Sequence, residues 1–315
     1  MMPSRDRATT DRRGGMRVTL TGAGGLVGTR LVRALRDRGD DVTVLSRDPD
    51  RAANALGVRT ERWQPAEEPA PADALAGRDA VVHLAGERVD QRWSAKAREA
   101  IRTSREAGTR NLVDGLRNAD PRPAALVSAS AVGYYGPRGG EPVDEATPAG
   151  ADFLAEVCVA WEREAQRAEE LGVRVVRVRT GVVLDRRGGA LGRMLLPFRA
   201  GVGGPVAGGR QYLPWIHAGD LAGIYLAAID GPAWSGPVNA TAPQPVTNRD
   251  FARALGRALR RPAVLPVPGA ALRLLYGDMA QIVTTGQRAL PQRALELGYR
   301  FAHADLDEAL RDALE

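Results

Sequence analysis

The 315-residue sequence predicts an α/β chain, a doubly wound parallel sheet with helices on both faces and a smaller C-terminal α/β lobe. Three observations predict it. Apolar runs at 16–21, 40–46, 79–85, 124–130 and 173–184 recur with helical stretches between them, the spacing of right-handed βαβ units. A glycine-rich turn stands directly between the first run and the first helix. After about residue 185 the alternation lapses, and glycine pairs at 188–189, 203–204 and 208–209 mark loops.

In chain order, 16–21 (MRVTLT) reads as the first strand. Residues 26–38 read as a helix, because Leu26, Val27, Leu31, Val32 and Leu35 fall at helical spacing. The runs 40–46 (DDVTVLS), 79–85 (DAVVHLA) and 124–130 (AALVSAS) are further strands, and 173–184 (VRVVRVRTGVVL) reads as one more. A helix containing Thr103, Gly108 and Leu112 separates the strands of Val81 and Leu126, and a second helix covers about 152–171. The expected organisation is a polar, disordered leader at 1–15, with Met16 as an alternative start, then a nucleotide-binding domain at 16–185. A C-terminal substrate lobe at 186–315 packs over the carboxyl ends of the strands, where such folds bind ligands.

Composition narrows the class. No apolar run approaches the roughly 18 residues a membrane-spanning helix needs, so no membrane partner is expected. One cysteine, Cys158, excludes an intramolecular disulfide framework and fits a reducing compartment, so a cytoplasmic location is expected. The net charge is +6, yet the arginines stand among acids, as at Arg33, Arg36, Asp37 and Arg38. Nucleic acid is therefore not expected as a partner. A small-molecule substrate is, and an oligomer is left open.

The turn reads Gly22-Ala23-Gly24-Gly25-Leu26-Val27-Gly28, and the spacing used is Gly22, Gly25, Gly28. Glycine permits the tight turn and lets backbone N–H groups approach a pyrophosphate, while the helix start at Leu26 and Val27 supplies partial positive charge. With a strand before it and a helix after it, this is a Rossmann-type dinucleotide fingerprint. The second strand ends in Leu45-Ser46-Arg47. A carboxylate there would favour NAD; Ser46 followed by Arg47 suits a 2′-phosphate, so the cofactor expected is NADP(H). Asp48 counts a little against it.

With these residues in place, the chain resembles the extended short-chain dehydrogenase/reductase superfamily, the NAD-dependent epimerase/dehydratase group. Within it, HLAGERVDQRW (83–93), IRTSREAGTRNLV (101–113), SASAVGYYG (128–136), DFLAEVCVAWE (152–162) and GGALGRMLLPFRAGVGGPVAGGRQYLPWIHAGDL (188–221) are similar to an atypical, uncharacterised "epimerase family protein" set. The similarity continues through NATAPQPVTNRDF (239–251) and RPAVLPVP (261–268), and implies a family-specific C-terminal segment of unknown function at about 265–312. It further implies that Ser46, Arg47, Leu84, Ala85, Arg105 and Val183 line the cofactor outside the glycine turn. The superfamily serine is matched by Ser130. The usual Tyr-x-x-x-Lys pair falls on Leu154 and Cys158, and the helical Asn on Arg105.

Leucine cannot donate a proton, so any chemistry needs another group. Tyr135 in the GYYG turn and Cys158 in the lysine slot are the candidate donors, with loop packing and core packing as their plainer readings. Arg105 and Ser130 would polarise a carbonyl or position the nicotinamide. His217 is read as lining the cleft and Asp220 as a helix N-cap; His83 is given no role. Three dispersed histidines and one cysteine offer no zinc-site spacing, so no metal is expected. The reading is an NADP(H)-binding oxidoreductase or epimerase-like enzyme. A non-catalytic NADP(H) sensor is the alternative, and a nucleotide-sugar epimerase the third.

Overall fold

A computed structural model describes residues 15–315; apart from Gly15, the leader expected at 1–15 lies outside them. The first six sheet strands are β1 (Arg17–Thr21), β2 (Asp41–Ser46), β3 (Arg59–Arg62), β4 (Ala80–His83), β5 (Ala125–Ala131) and β6 (Arg174–Thr180). The longer helices among them are α1 (Leu26–Asp37), α2 (Pro49–Leu56), α3 (Ala95–Asn118) and α4 (Phe153–Gln166). Side chains on successive strand residues face opposite layers. Accordingly Val82 and Val127 join the core under α1, while Val81 and Leu126 join the core under α3 and α4. Leu31, Leu112 and Leu116 are fully buried there, each contributing roughly 1.5–3 kcal/mol by removal from water.

The apolar run 173–184 is two strands, not one. At Gly181 an added Cβ would lie 2.2 Å from the carbonyl oxygen of Pro214, so the main chains touch and the strand breaks. The second of the two, β7 (Val182–Leu184), leaves the central sheet and pairs in parallel with β8 (Trp215–His217).

The lobe adds α5 (Gly189–Arg199), α6 (Ala218–Asp230), β9 (Gly236–Ala240), α7 (Asn248–Leu259), α8 (Gly269–Tyr276) and α9 (Leu306–Leu314). The chain then re-enters the sheet. Strand β9 pairs in parallel with β6, giving the all-parallel order β9-β6-β5-β4-β1-β2-β3. The seventh strand, and helix α6 in the same core as α1, thus come from beyond residue 185. A separate core of Leu184, Leu191, Trp215, Phe251, Leu255 and Leu310 holds the lobe together. The strand order is that of a Rossmann-type fold.

Candidate cofactor and active site

Strand β1 ends at Thr21 and the chain turns through Gly22, whose φ of +71° is costly for any residue with a Cβ. The turn lies flush on the end of β4: a Cβ on Gly22 would sit 2.6 Å from the carbonyl carbon of Leu84 and 2.7 Å from the nitrogen of Ala85. At Gly28 it would sit 2.5 Å from the Gly22 oxygen, so this glycine lets α1 close on the turn. Gly25 is the N-cap of α1 with no side-chain cap, and no acidic residue occupies the first turn. No side chain of the cap therefore competes for the N–H groups at Leu26, Val27 and Gly28, and a Cβ on Gly24 would meet nothing within 4 Å. An open, uncapped, positively polarised helix end is what a pyrophosphate requires.

Thr21, which no sequence pattern singles out, fastens this corner. Its hydroxyl oxygen accepts from the N–H groups of Leu84 and Ala85, both at 3.2 Å. The hydroxyl is therefore left to donate to His83 Nδ1 at 2.7 Å, and the other ring nitrogen meets Thr109 Oγ1 at 3.1 Å. Burial, with Arg105 nearby, pushes the His83 imidazole down to about 4, so it is neutral. From the lobe, Gly188 and Gly189 come up to the Leu26 side chain, where an added Cβ would meet it at 3.7 and 3.5 Å, and the Cβ at Gly189 would lie 3.9 Å from the Val183 carbonyl oxygen.

At the end of β2, Ser46 Oγ accepts from the Asp48 N–H at 3.2 Å. The Asp48 carboxylate caps α2, accepting from the Arg51 N–H at 3.1 Å. Arg47 is exposed and has no hydrogen bond or ion pair among the described residues. Register places Arg62 of β3 beside Ser46, a second exposed arginine that the sequence leaves unmarked because RTER lacks an apolar signal.

Arg105 emerges from α3 beneath the segment after β4. Its Nη1 donates to the carbonyls of Glu87 (2.9 Å) and Ile101 (3.2 Å), and its guanidinium carbon lies 4.9 Å over the Trp161 ring. It forms no ion pair among the described residues, and desolvation lowers its pKa. Trp161 Nε1 is buried without a hydrogen-bond partner.

The remaining candidates are drawn into a buried network. Ser130 donates to Glu162 Oε1 at 2.7 Å, and Arg179 grips both Glu162 oxygens at 2.8 and 2.9 Å. Arg179 also donates to the Tyr135 hydroxyl at 3.0 Å, and that hydroxyl donates to Asn239 Oδ1 at 2.7 Å. Tyr135 is fully buried, and burial pushes its phenol up to about 12. Its ring is a packed, hydrogen-bonded part of the β5–β6–β9 seam. Cys158 is buried against Gly133, and desolvation raises its thiol to about 12. With Leu154 it packs α4 on the turn after β5, as a small core residue does.

His217 is buried. It is the N-cap of α6, with Nδ1 accepting from the Gly219 N–H, and Nε2 lies 3.0 Å from Asp312 of α9. Asp220, expected as the cap, instead accepts from the N–H groups of Ala302 and His303 at 2.8 and 2.9 Å. The histidines are less dispersed than the sequence suggested, since ligand atoms of His217, Asp220 and His303 lie within 4.8 Å of one another. The main-chain donors engage His217 Nδ1 and both Asp220 oxygens, so the cluster fastens the segment leading into α9 to α6.

A model of the NAD dependent epimerase/dehydratase family matches residues 18–239, and one of a domain of unknown function matches 267–313. The chain is 41% identical over 303 residues to an Arabidopsis thaliana chloroplastic homologue of epimerase family protein SDR39U1, across 95% of this chain and 87% of the relative. Its fold matches human SDR39U1, solved with NADPH, at a TM-score of 0.85 and 37% identity, covering 95% of this chain and all of that one. It also matches a nucleoside-diphosphate sugar epimerase of Corynebacterium glutamicum at a TM-score of 0.77 and 35% identity, covering 96% of this chain and 58% of that one.

Proposed function

From the premise that the chain belongs to the NAD-dependent epimerase/dehydratase family, we propose that it is an NADP(H)-binding oxidoreductase or epimerase-like enzyme. One observation carries the cofactor choice. The only carboxylate next to Arg47 in sequence, Asp48, is turned away as the cap of α2, leaving Arg47 and Arg62 beside Ser46 without an ion pair among the described residues. Two guanidinium groups suit a 2′-phosphate, which they can grip with charge-assisted hydrogen bonds. The solved NADPH complex of the human relative supports the same choice. Gly22, Gly25, Leu26, Val27 and Gly28 would cradle the pyrophosphate, and Leu84, Ala85 and Val183 would wall the corner. The bound cofactor supplies or accepts a hydride.

Arg105 would hold the substrate oxygen, as a cation with no carboxylate partner in a desolvated setting. Ser130 donates its hydroxyl hydrogen bond to Glu162, so toward a ligand it would act as an acceptor. Neither Tyr135 nor Cys158, each raised to about 12, would release a proton near neutral pH. The proton would then come from water or from the substrate itself. That same observation favours a second reading, a non-catalytic NADP(H) sensor.

A fluorescence titration with NADPH and NADH tests the cofactor. Arg47→Ala should weaken NADPH roughly ten- to a hundred-fold, the worth of a lost charge-assisted bond, and leave NADH unchanged. Equal loss for both cofactors would refute the 2′-phosphate role. Single-turnover oxidation of bound NADPH across a carbonyl and quinone panel then separates enzyme from sensor.

A further inference from the structure

Seven of the nine large hydrophobic side chains that stand exposed among the described residues fall in two stretches, 196–202 and 264–276. Scattered exposed apolar residues need no explanation, but a concentration does. Leu274 is 80% exposed, Leu196 78% and Val264 74%, and α8 has no buried residue.

The two stretches are neighbours. Arg261 Nε donates to the Arg199 carbonyl at 3.1 Å, Val206 bridges Val267, and a Cβ on Gly204 would strike the Leu265 carbonyl. Helix α8 continues directly from this strip.

Charge is distributed with equal bias. Segments 186–219 and 251–277 each hold five arginines and no aspartate or glutamate. The chain's whole positive excess resides there, and the remainder is net acidic. Arg253 and Arg257 have Asp250 and Asp307 at 3.9 and 2.7 Å. In contrast Arg199, Arg260, Arg261 and Arg273 form no ion pair among the described residues. Arg253, Arg257, Arg260 and Arg261 rim an open cleft of about 420 Å³ with Val264 at its edge. Arg260 is even held at φ +53°, a left-handed helix end where glycine costs less.

We infer that this face docks on the surface of an anionic lipid bilayer. Aliphatic side chains would enter the headgroup boundary, while arginines on the same strip would meet lipid phosphates. No described helix is long and apolar enough to cross a membrane. Nucleic acid fits less well, because contacts to a phosphate backbone would engage the arginines but leave the exposed leucine and valine side chains in water. A second copy docking face to face would bring the unpaired arginines against each other.

The test is flotation of the full chain with vesicles of pure phosphatidylcholine and of an equal phosphatidylcholine–phosphatidylglycerol mixture. Flotation with the anionic vesicles only, released by raised salt, is the expected result. Each surface arginine contributes about five-fold to such partitioning, so R260S with R261S should lower it on the order of ten- to thirty-fold. L274E with L275E should abolish it. All these side chains are exposed, and unchanged far-UV circular dichroism verifies folding. No flotation with anionic vesicles, equal flotation with both vesicle types, or flotation indifferent to L274E/L275E would each overturn the proposal. So would self-association in sedimentation equilibrium that the leucine variant dissolves, which would assign the face to a second copy.

Discussion

Tyr135 shows what burial does to a candidate acid. Its hydroxyl joins Arg179 of β6 to Asn239 of β9, so replacing it with phenylalanine strips Asn239 Oδ1 of its donor inside the protein. Leaving a buried polar group unpaired costs about 1–3 kcal/mol. Tyr135→Phe should therefore lower the stability measured by urea unfolding by that much while NADPH affinity holds. A variant of unchanged stability that lost turnover would restore the phenol to the chemistry. Residue identity was legible only in part. The glycines, Ser46 and Arg47 could be placed because a strand–turn–helix spacing fixes where they lie. The partnership of Ser130 with Glu162 and Arg179 could not be read, since Glu162 stands 32 residues from the serine and 17 from the arginine, on a different element from either. One hint was available: an arginine within the apolar strand 174–180 needs a buried partner.

At the scale of elements, His83 makes the junction of β1, β4 and α3 sensitive to acid. In the unfolded chain its imidazole protonates near 6.5, whereas in the folded protein it resists until about 4. Between those values the unfolded state binds more protons, so stability falls as pH falls through the window. The full span is worth about 3 kcal/mol. His217, lowered by burial and by neighbouring His303, adds a contribution of the same sign. Urea unfolding at pH 7 and pH 4 should thus show a steeper loss for the native protein than for His83→Gln; coincident losses would remove His83 as the cause. Burial decided which elements were legible. Strands β1, β2, β4 and β5 are buried in the sheet and read as apolar runs. Edge strand β3, RTER, has exposed ends and charged side chains, as edges generally do, and so left no apolar pattern to trace. The break at Gly181 depends on the approach of Pro214, a contact that no local pattern encodes.

At the scale of the whole molecule, the chain is organised by re-entry. Composition shifts near 185 and β7 leaves the sheet at Val182, but 218–240 then returns to complete the sheet and its core with α6 and β9. The cofactor domain therefore depends on residues far beyond its apparent end. A fragment ending at 185 would leave β6 as an open edge, with Val176 and Val178, both fully buried in the intact protein, stripped of α6. An unpaired, apolar edge strand is a template for aggregation. A fragment ending at 240 keeps the seven-stranded order but removes α9, and with it the partners of His217 and Asp220. Expression of 16–185, 16–240 and 16–315 should give aggregate, a soluble but destabilised sheet, and a cooperative fold, in that order. A monomeric 16–185 that binds NADPH would show that the seventh strand is dispensable and that the lobe is an appendage. The expected ranking instead makes the lobe and the glycine turn one cooperative unit, in which Leu26 beside Gly188 and Gly189 carries contact from that turn into the lobe.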